Sequence, residues 1–164
     1  MKIHRLTFVL ALLALGGLWA AEDSPPSSLV PYPEGFRSWR HLGSVVSHPK
    51  DKPDAPAGLI HHIYANEKAV EGYRTGVFPE GAMFVADWYV LKEKYPGGFD
   101  EGDRDRTDVM IKDARFAATG GWGFDQFAKD SREVRNVGPV APNACFNCHT
   151  KVKARDHVFS ALRP

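Results

Sequence analysis

The stretch Ala82-Met83-Phe84-Val85-Ala86-Asp87-Trp88-Tyr89-Val90-Leu91-Lys92 is the longest strand candidate in the chain. It is rich in β-branched and aromatic residues, and its nearly continuous apolar character predicts a central strand covered on both faces. Alternation along it puts Ala82, Phe84 and Ala86 on one face. Pro79-Glu80-Gly81 makes a turn before it. Further upstream, Leu59 to Tyr64 reads as a second strand. Asn66 is a good N-cap for a helix running to about Arg74, which Gly76 ends. Downstream, Val109 to Lys112 and the glycine-bearing Gly120 to Phe127 read as strands, and a glycine there suggests close approach of backbone or a ligand. Frequent Gly and Pro leave little room for long helices. The fold class is α+β, mainly antiparallel β-sheet with a few short helices.

The remaining segments are less regular. Gly35 to Leu42 is expected to form a short helix, with a strand at Ser44 to Ser47. His48 to Gly58, Tyr95 to Asp108 and Ala128 to Asn143 are expected to be loops. Ala144 to Leu162 is expected to be helical around Cys148 to Arg155. No internal repeat is visible.

The 164 residues carry 21 Lys+Arg and 20 Asp+Glu, with 43% hydrophobic and 25% charged residues. This composition excludes a disordered chain. The near-zero net charge gives no footprint for nucleic acid or acidic lipid. The N-terminus has a positive start at Lys2 and Arg5, an uncharged run from Leu6 to Leu18, and a small residue at Ala20. That is the pattern of a signal peptide over residues 1–20, with an uncleaved anchor as the alternative. A flexible Pro/Ser-rich leader follows over 21–33, and one domain occupies 34–164. The chain is therefore expected to be exported to the periplasm. Processing leaves 19 positive and 20 negative groups.

Cys145-Phe146-Asn147-Cys148-His149 is a Cys-x-x-Cys-His motif, the attachment sequence for a c-type haem. Two intervening residues let both thiols reach one porphyrin edge and add to its vinyl groups. His149 is then carried under the iron as its proximal ligand. A thioredoxin-like pair would open a helix after an early strand, and no such unit precedes this motif. Zinc would need further ligands, usually a second cysteine pair.

The sixth iron position has weaker candidates. Processing leaves Met83 and Met110, both expected to fill core. His41, His48, His61, His62 and His157 remain, and strand alternation turns His61 and His62 to opposite faces. The favoured state is an iron that is five-coordinate or weakly water-bound. The acidic run from Asp100 to Asp108 lacks the glycine and closing glutamate of a calcium loop. Gly120 to Gly123 is not followed by the residues of a phosphate loop, and neither Gly-x-Ser-x-Gly nor His-Glu-x-x-His occurs.

From about Tyr32 to Phe159 the chain resembles the cytochrome P-460 family, which includes the cytochromes c′-beta. The resemblance is carried by Phe36 to Trp39, His62 to Tyr64, Tyr73 to Gly81, Ile111 to Phe116, Trp122 to Phe124, Ala144 to His149 and Asp156 to Phe159. It implies one covalently attached haem c packed on an antiparallel sheet, usually in a homodimer, and disfavours the four-helix cytochrome c′. The family's hydroxylamine- and NO-oxidising enzymes join a lysine to the haem edge. Here the matching position is Ala86, and neither Lys92 nor Lys112 matches it. The family's distal arginine falls near His61 and its distal carboxylate near Asp108, which makes these two the candidate catalytic residues. The cytochrome c′-beta branch lacks the crosslink and binds gases in an apolar pocket. The resemblance thus implies binding of NO or CO, with Phe84 and Ala86 in the haem pocket. An electron-transfer cytochrome with a redox partner protein and a hydroxylamine or NO oxidoreductase are the alternatives.

Overall fold

The computed structural model describes residues 30–47 and 58–163. The expected signal peptide, residues 21–29 of the leader, the loop after Ser47 and His48 lie outside the described residues. The leader's last residues are not flexible, since Val30 and Pro33 are buried and Val30 and Tyr32 pack in the core. Five antiparallel strands form one sheet in chain order: β1 (Arg40–Ser47), β2 (Leu59–Ala65), β3 (Met83–Tyr95), β4 (Gly98–Lys112) and β5 (Trp122–Ala128). One helix of ordinary length, α1 (Glu67–Thr75), crosses between β2 and β3. The α+β, mainly antiparallel architecture read from the sequence is the one observed.

Asn66 starts α1 as expected, its Oδ1 accepting from the Ala69 amide at 2.9 Å. The same oxygen accepts from the Met83 amide at 3.0 Å, and Nδ2 donates to the Gly81 carbonyl at 2.9 Å. One side chain thus caps the helix and ties it to the start of β3. Gly76 ends α1 in the left-handed region, at φ 78°, where a residue without Cβ is least strained.

Two expectations are corrected. Only Phe36–Ser38 is helical near the start, as a single tight turn, and Arg40 to Leu42 belongs to β1. Tyr95 to Asp108 is not a loop, because β4 runs through most of it. Its charges are compatible with a strand because they pair across strands: Lys92 with Asp103 at 3.2 Å and Lys94 with Asp100 at 2.7 Å on the exposed end, and Arg104 with buried Asp87 at 2.8 Å further in. On β5, what approaches Gly123 is the Phe116 ring. A Cβ there would come within 2.3 Å of that ring.

The pairing register aligns side chains in rows. On one face, Ala65, Phe84, Met110 and Phe124 are successive partners across β2 to β5, followed by Ile63, Ala86, Asp108 and Gln126, and then His61, Trp88 and Arg106. Phe84, Met110, Trp122 and Phe124 on this face pack with α1 and the C-terminal segment. The other face packs Met83, Val109, Ile111 and Phe127 against Val30, Tyr32 and Trp39. It also buries Asp87, which is held by Arg37, Arg104 and the Tyr89 hydroxyl.

Candidate functional site

A cavity of about 430 Å³ lies between the first sheet face and the C-terminal segment. Its size falls within the range of cofactor pockets, about 300–1,000 Å³. Chain reversal at the C-terminal end builds one wall. The backbone is helical from Pro142 to Arg155 apart from a kink at Val152, changing pitch at Asn147–His149 and Thr150–Arg155. It then turns back through Asp156 and His157, both left-handed, at φ 49° and 65°. This return brings Val158, Phe159 and Ser160 to the cavity beside Cys145, Cys148 and His149.

His149 is fixed on three sides. Its ring lies 4.8 Å from the Phe124 ring and 5.0 Å from that of Phe159. Its Nδ1 is 2.7 Å from the His157 carbonyl oxygen. A carbonyl only accepts, so Nδ1 carries the proton and Nε2 keeps its lone pair. Burial pushes the imidazole pKa down, which favours the neutral, ligating form. Cys145 and Cys148 are not joined in a disulfide. Burial, assisted by Asp108, Asp125 and Cys148, pushes the Cys145 thiol up to about 11, so it is protonated at neutral pH.

The sheet supplies the facing wall. Phe84, Ala86, His61 and Asp108 all line the cavity, together with Ile63, Trp88, Met110, Phe124 and Gln126. The Phe84 ring meets those of Tyr73, Phe78 and Trp122 at 5.5–6.0 Å. Ala86 sits between Ile63 and Asp108 in its row, so the smallest side chain occupies the middle of the floor. His61 lies against Trp88, with ring centroids 3.8 Å apart, and the Arg106 guanidinium is 4.0 Å from the same indole. Burial, then Arg106 and His62, lower the His61 pKa to about 4, and its buried Nδ1 has no hydrogen-bond partner. Asp108 accepts from Gln126 Nε2 at 2.8 Å, and Gln126 in turn accepts from Asn136 at 2.9 Å. Burial pushes the Asp108 pKa up, against the opposing pull of Arg106.

Several sequence candidates sit elsewhere. His62 faces away from the cavity, hydrogen-bonded to Ser44 at 2.7 Å with its Nε2 2.7 Å from a Glu101 carboxylate oxygen, and His41 lies beside it. Met83 packs in the opposite core, whereas Met110 lines the cavity. Lys112 pairs with Asp156 and Lys92 with Asp103. Among the described residues, no group of three or more His, Cys, Asp and Glu is arranged to hold a bare metal ion. Trp88, Arg106 and Gln126 also line or flank the cavity, and no sequence motif marks them. Extending the strand alternation from Ala86 leads to Trp88. Gln126 and Arg106 needed the register of β4, which a loop reading hides.

The residues present fit an iron–porphyrin. One imidazole nitrogen is bare and oriented, two thiols share its cavity, and the surrounding wall is mostly apolar. No curated protein matches the chain. A family model described as Cytochrome P460 matches residues 33–160, which takes in every strand and the Cys145 to His149 motif. The chain belongs to the cytochrome P460 family and is a haem-binding cytochrome.

Proposed function

We propose that this chain is an exported, periplasmic cytochrome with one haem c, joined through thioethers at Cys145 and Cys148, with His149 as the axial iron ligand and the other iron face open to NO or CO. The observation that carries this reading is the His149 tautomer. Its Nδ1 is committed to the His157 carbonyl at 2.7 Å, leaving Nε2 for a metal beside both thiols. When bound, the group supplies an iron that takes the small ligand. The chain does the rest: Phe84, Ile63 and Phe124 exclude water, and Ala86 leaves space. His61 stays neutral against Trp88 instead of presenting a charge. We further propose a homodimer, for which the exposed Val45 and Val46 on edge strand β1 offer surface.

Absorption spectra test the ligand reading. The reduced protein is expected to be high-spin and to change strongly on adding CO or NO. Phe84→Leu, which trims the pocket, is expected to speed CO binding. A low-spin spectrum indifferent to both gases contradicts the proposal. Because Met110 lines the cavity, Met110→Ala separates this reading from electron transfer. The gas-binding account expects an unchanged spin state, and conversion from low to high spin favours an axial methionine.

A second reading, oxidation of hydroxylamine or NO, is favoured by Asp108. Its raised pKa and its Gln126–Asn136 hydrogen-bond chain suit a proton acceptor beside the cavity. Turnover of hydroxylamine that falls sharply in Asp108→Asn supports it, and absence of turnover in the haem-loaded wild type rejects it.

A further inference from the structure

Asp156 and His157 are consecutive left-handed residues, a conformation seldom adopted outside glycine and costly unless the surroundings hold it. Asp156 is held from the sheet. Lys112 Nζ donates to both its carboxylate oxygens, at 3.0 and 2.8 Å, and Trp122 Nε1 donates to Oδ1 at 3.2 Å. Lys112 ends β4, Trp122 begins β5, and the two are register partners. Lys112 Nζ also reaches the Gly120 carbonyl at 3.3 Å and lies 4.9 Å from the centre of the Trp122 ring. Gly120 in turn leaves room for the His157 ring, since a Cβ there would come within 3.0 Å of His157 Nε2. The turn is thus fastened to the rim of the sheet through Asp156, with the His157 ring packed beside Gly120. The carbonyl it carries is the one that accepts from His149 Nδ1.

We propose that Asp156 is a positioning residue for His149. Pinned by Lys112 and Trp122, it holds the left-handed turn that aims the His157 carbonyl at Nδ1, and so sets how strongly Nε2 donates to a metal. A proton drawn toward an acceptor on one imidazole nitrogen raises the basicity of the other. Losing the carboxylate lets the turn relax, weakens that hydrogen bond and makes His149 a poorer donor. This inference rests on the reading of His149 as the axial iron ligand.

The test is resonance Raman spectroscopy and redox titration of the reduced, haem-loaded full chain. Asp156→Ala and Asp156→Gly are expected to move the iron–histidine stretching band to lower frequency and to raise the reduction potential. The glycine variant accepts the left-handed backbone but lacks the anchor, so it separates backbone strain from pinning. Asp156→Asn, which tolerates the same backbone and keeps an oxygen for Trp122, is expected to stay closer to wild type. Lys112→Gln removes the ion pair from the sheet side and is expected to shift the band in the same direction. If the aspartate variants fold poorly, Lys112→Gln decides alone, together with the His149 Nδ1–H resonance in the haem-free protein. A merely structural Asp156 would lower the melting temperature and leave band, potential and resonance unmoved, which would overturn the inference. A wild type with no iron–histidine band would instead refute His149 ligation itself, and this inference with it.

Discussion

His61 is held neutral by its surroundings, and that has a signed consequence for stability. Its pKa moves from 6.5 to about 4 on folding, through burial first and then the charges of Arg106 and His62. Between those values the unfolded chain binds a proton that the folded chain refuses. Stability therefore falls as pH is lowered from about 6.5 to about 4, and this residue contributes no pH dependence above or below that window. His61→Gln is expected to lose less stability over that interval, measured by thermal melting of the haem-free protein at both pH values. An equal acid-side loss in variant and wild type would show that His61 is not responsible. At His149 the decisive feature is likewise a protonation state, because a single carbonyl contact selects which nitrogen stays bare. The Cys-x-x-Cys-His motif was legible from spacing alone. The carbonyl at His157 was not, since it depends on two left-handed residues, the first of which is held by Lys112 and Trp122 on strands distant in sequence.

At the scale of elements, Asn66 does more than cap α1. It also accepts from the Met83 amide and donates to the Gly81 carbonyl, joining the helix to the strand that floors the cavity. Asn66→Ala is expected to cost about 2 kcal/mol, the upper end for a cap, because two further partners lose their bond. A chemical-denaturation loss near zero would contradict this. The cap was readable because Asn precedes a helical pattern ended by glycine. The run from Ala82 was readable as a strand because its apolar residues outlast any turn signal. β4 was not readable from Gly98 to Asp108, where acidic and basic residues crowd around Gly102 with few apolar side chains. Only the partners on β3 turn those charges into a strand, and a single sequence does not display that register. The same gap concealed Arg106 and Gln126 from the site, although Asp108 between them was reached through family resemblance.

Across the whole molecule, the sheet separates two kinds of interior. One face holds the cavity, lined by Phe84, Ala86, Asp108 and the C-terminal return. The other buries Asp87 against Arg104, Arg37 and Tyr89, with Arg104 itself 11% exposed and Asp87 1%. Removing one member of such a buried set leaves a charge without its partner, at a cost of about 3–5 kcal/mol. Asp87→Ala is expected to lose stability on that scale, read by denaturant unfolding, while the haem absorption spectrum of the remaining folded protein stays that of the wild type. A changed spin state would mean that the two faces are coupled.

The attachment of the cofactor can be tested with one measurement. The chain is expressed with cytochrome c maturation machinery, purified, denatured and weighed by intact-protein mass spectrometry. A red product whose mass equals the processed polypeptide plus one haem, reverting to the bare mass in a Cys145→Ala/Cys148→Ala variant, is the predicted result. A colourless wild-type product at the bare polypeptide mass would contradict covalent haem at these cysteines.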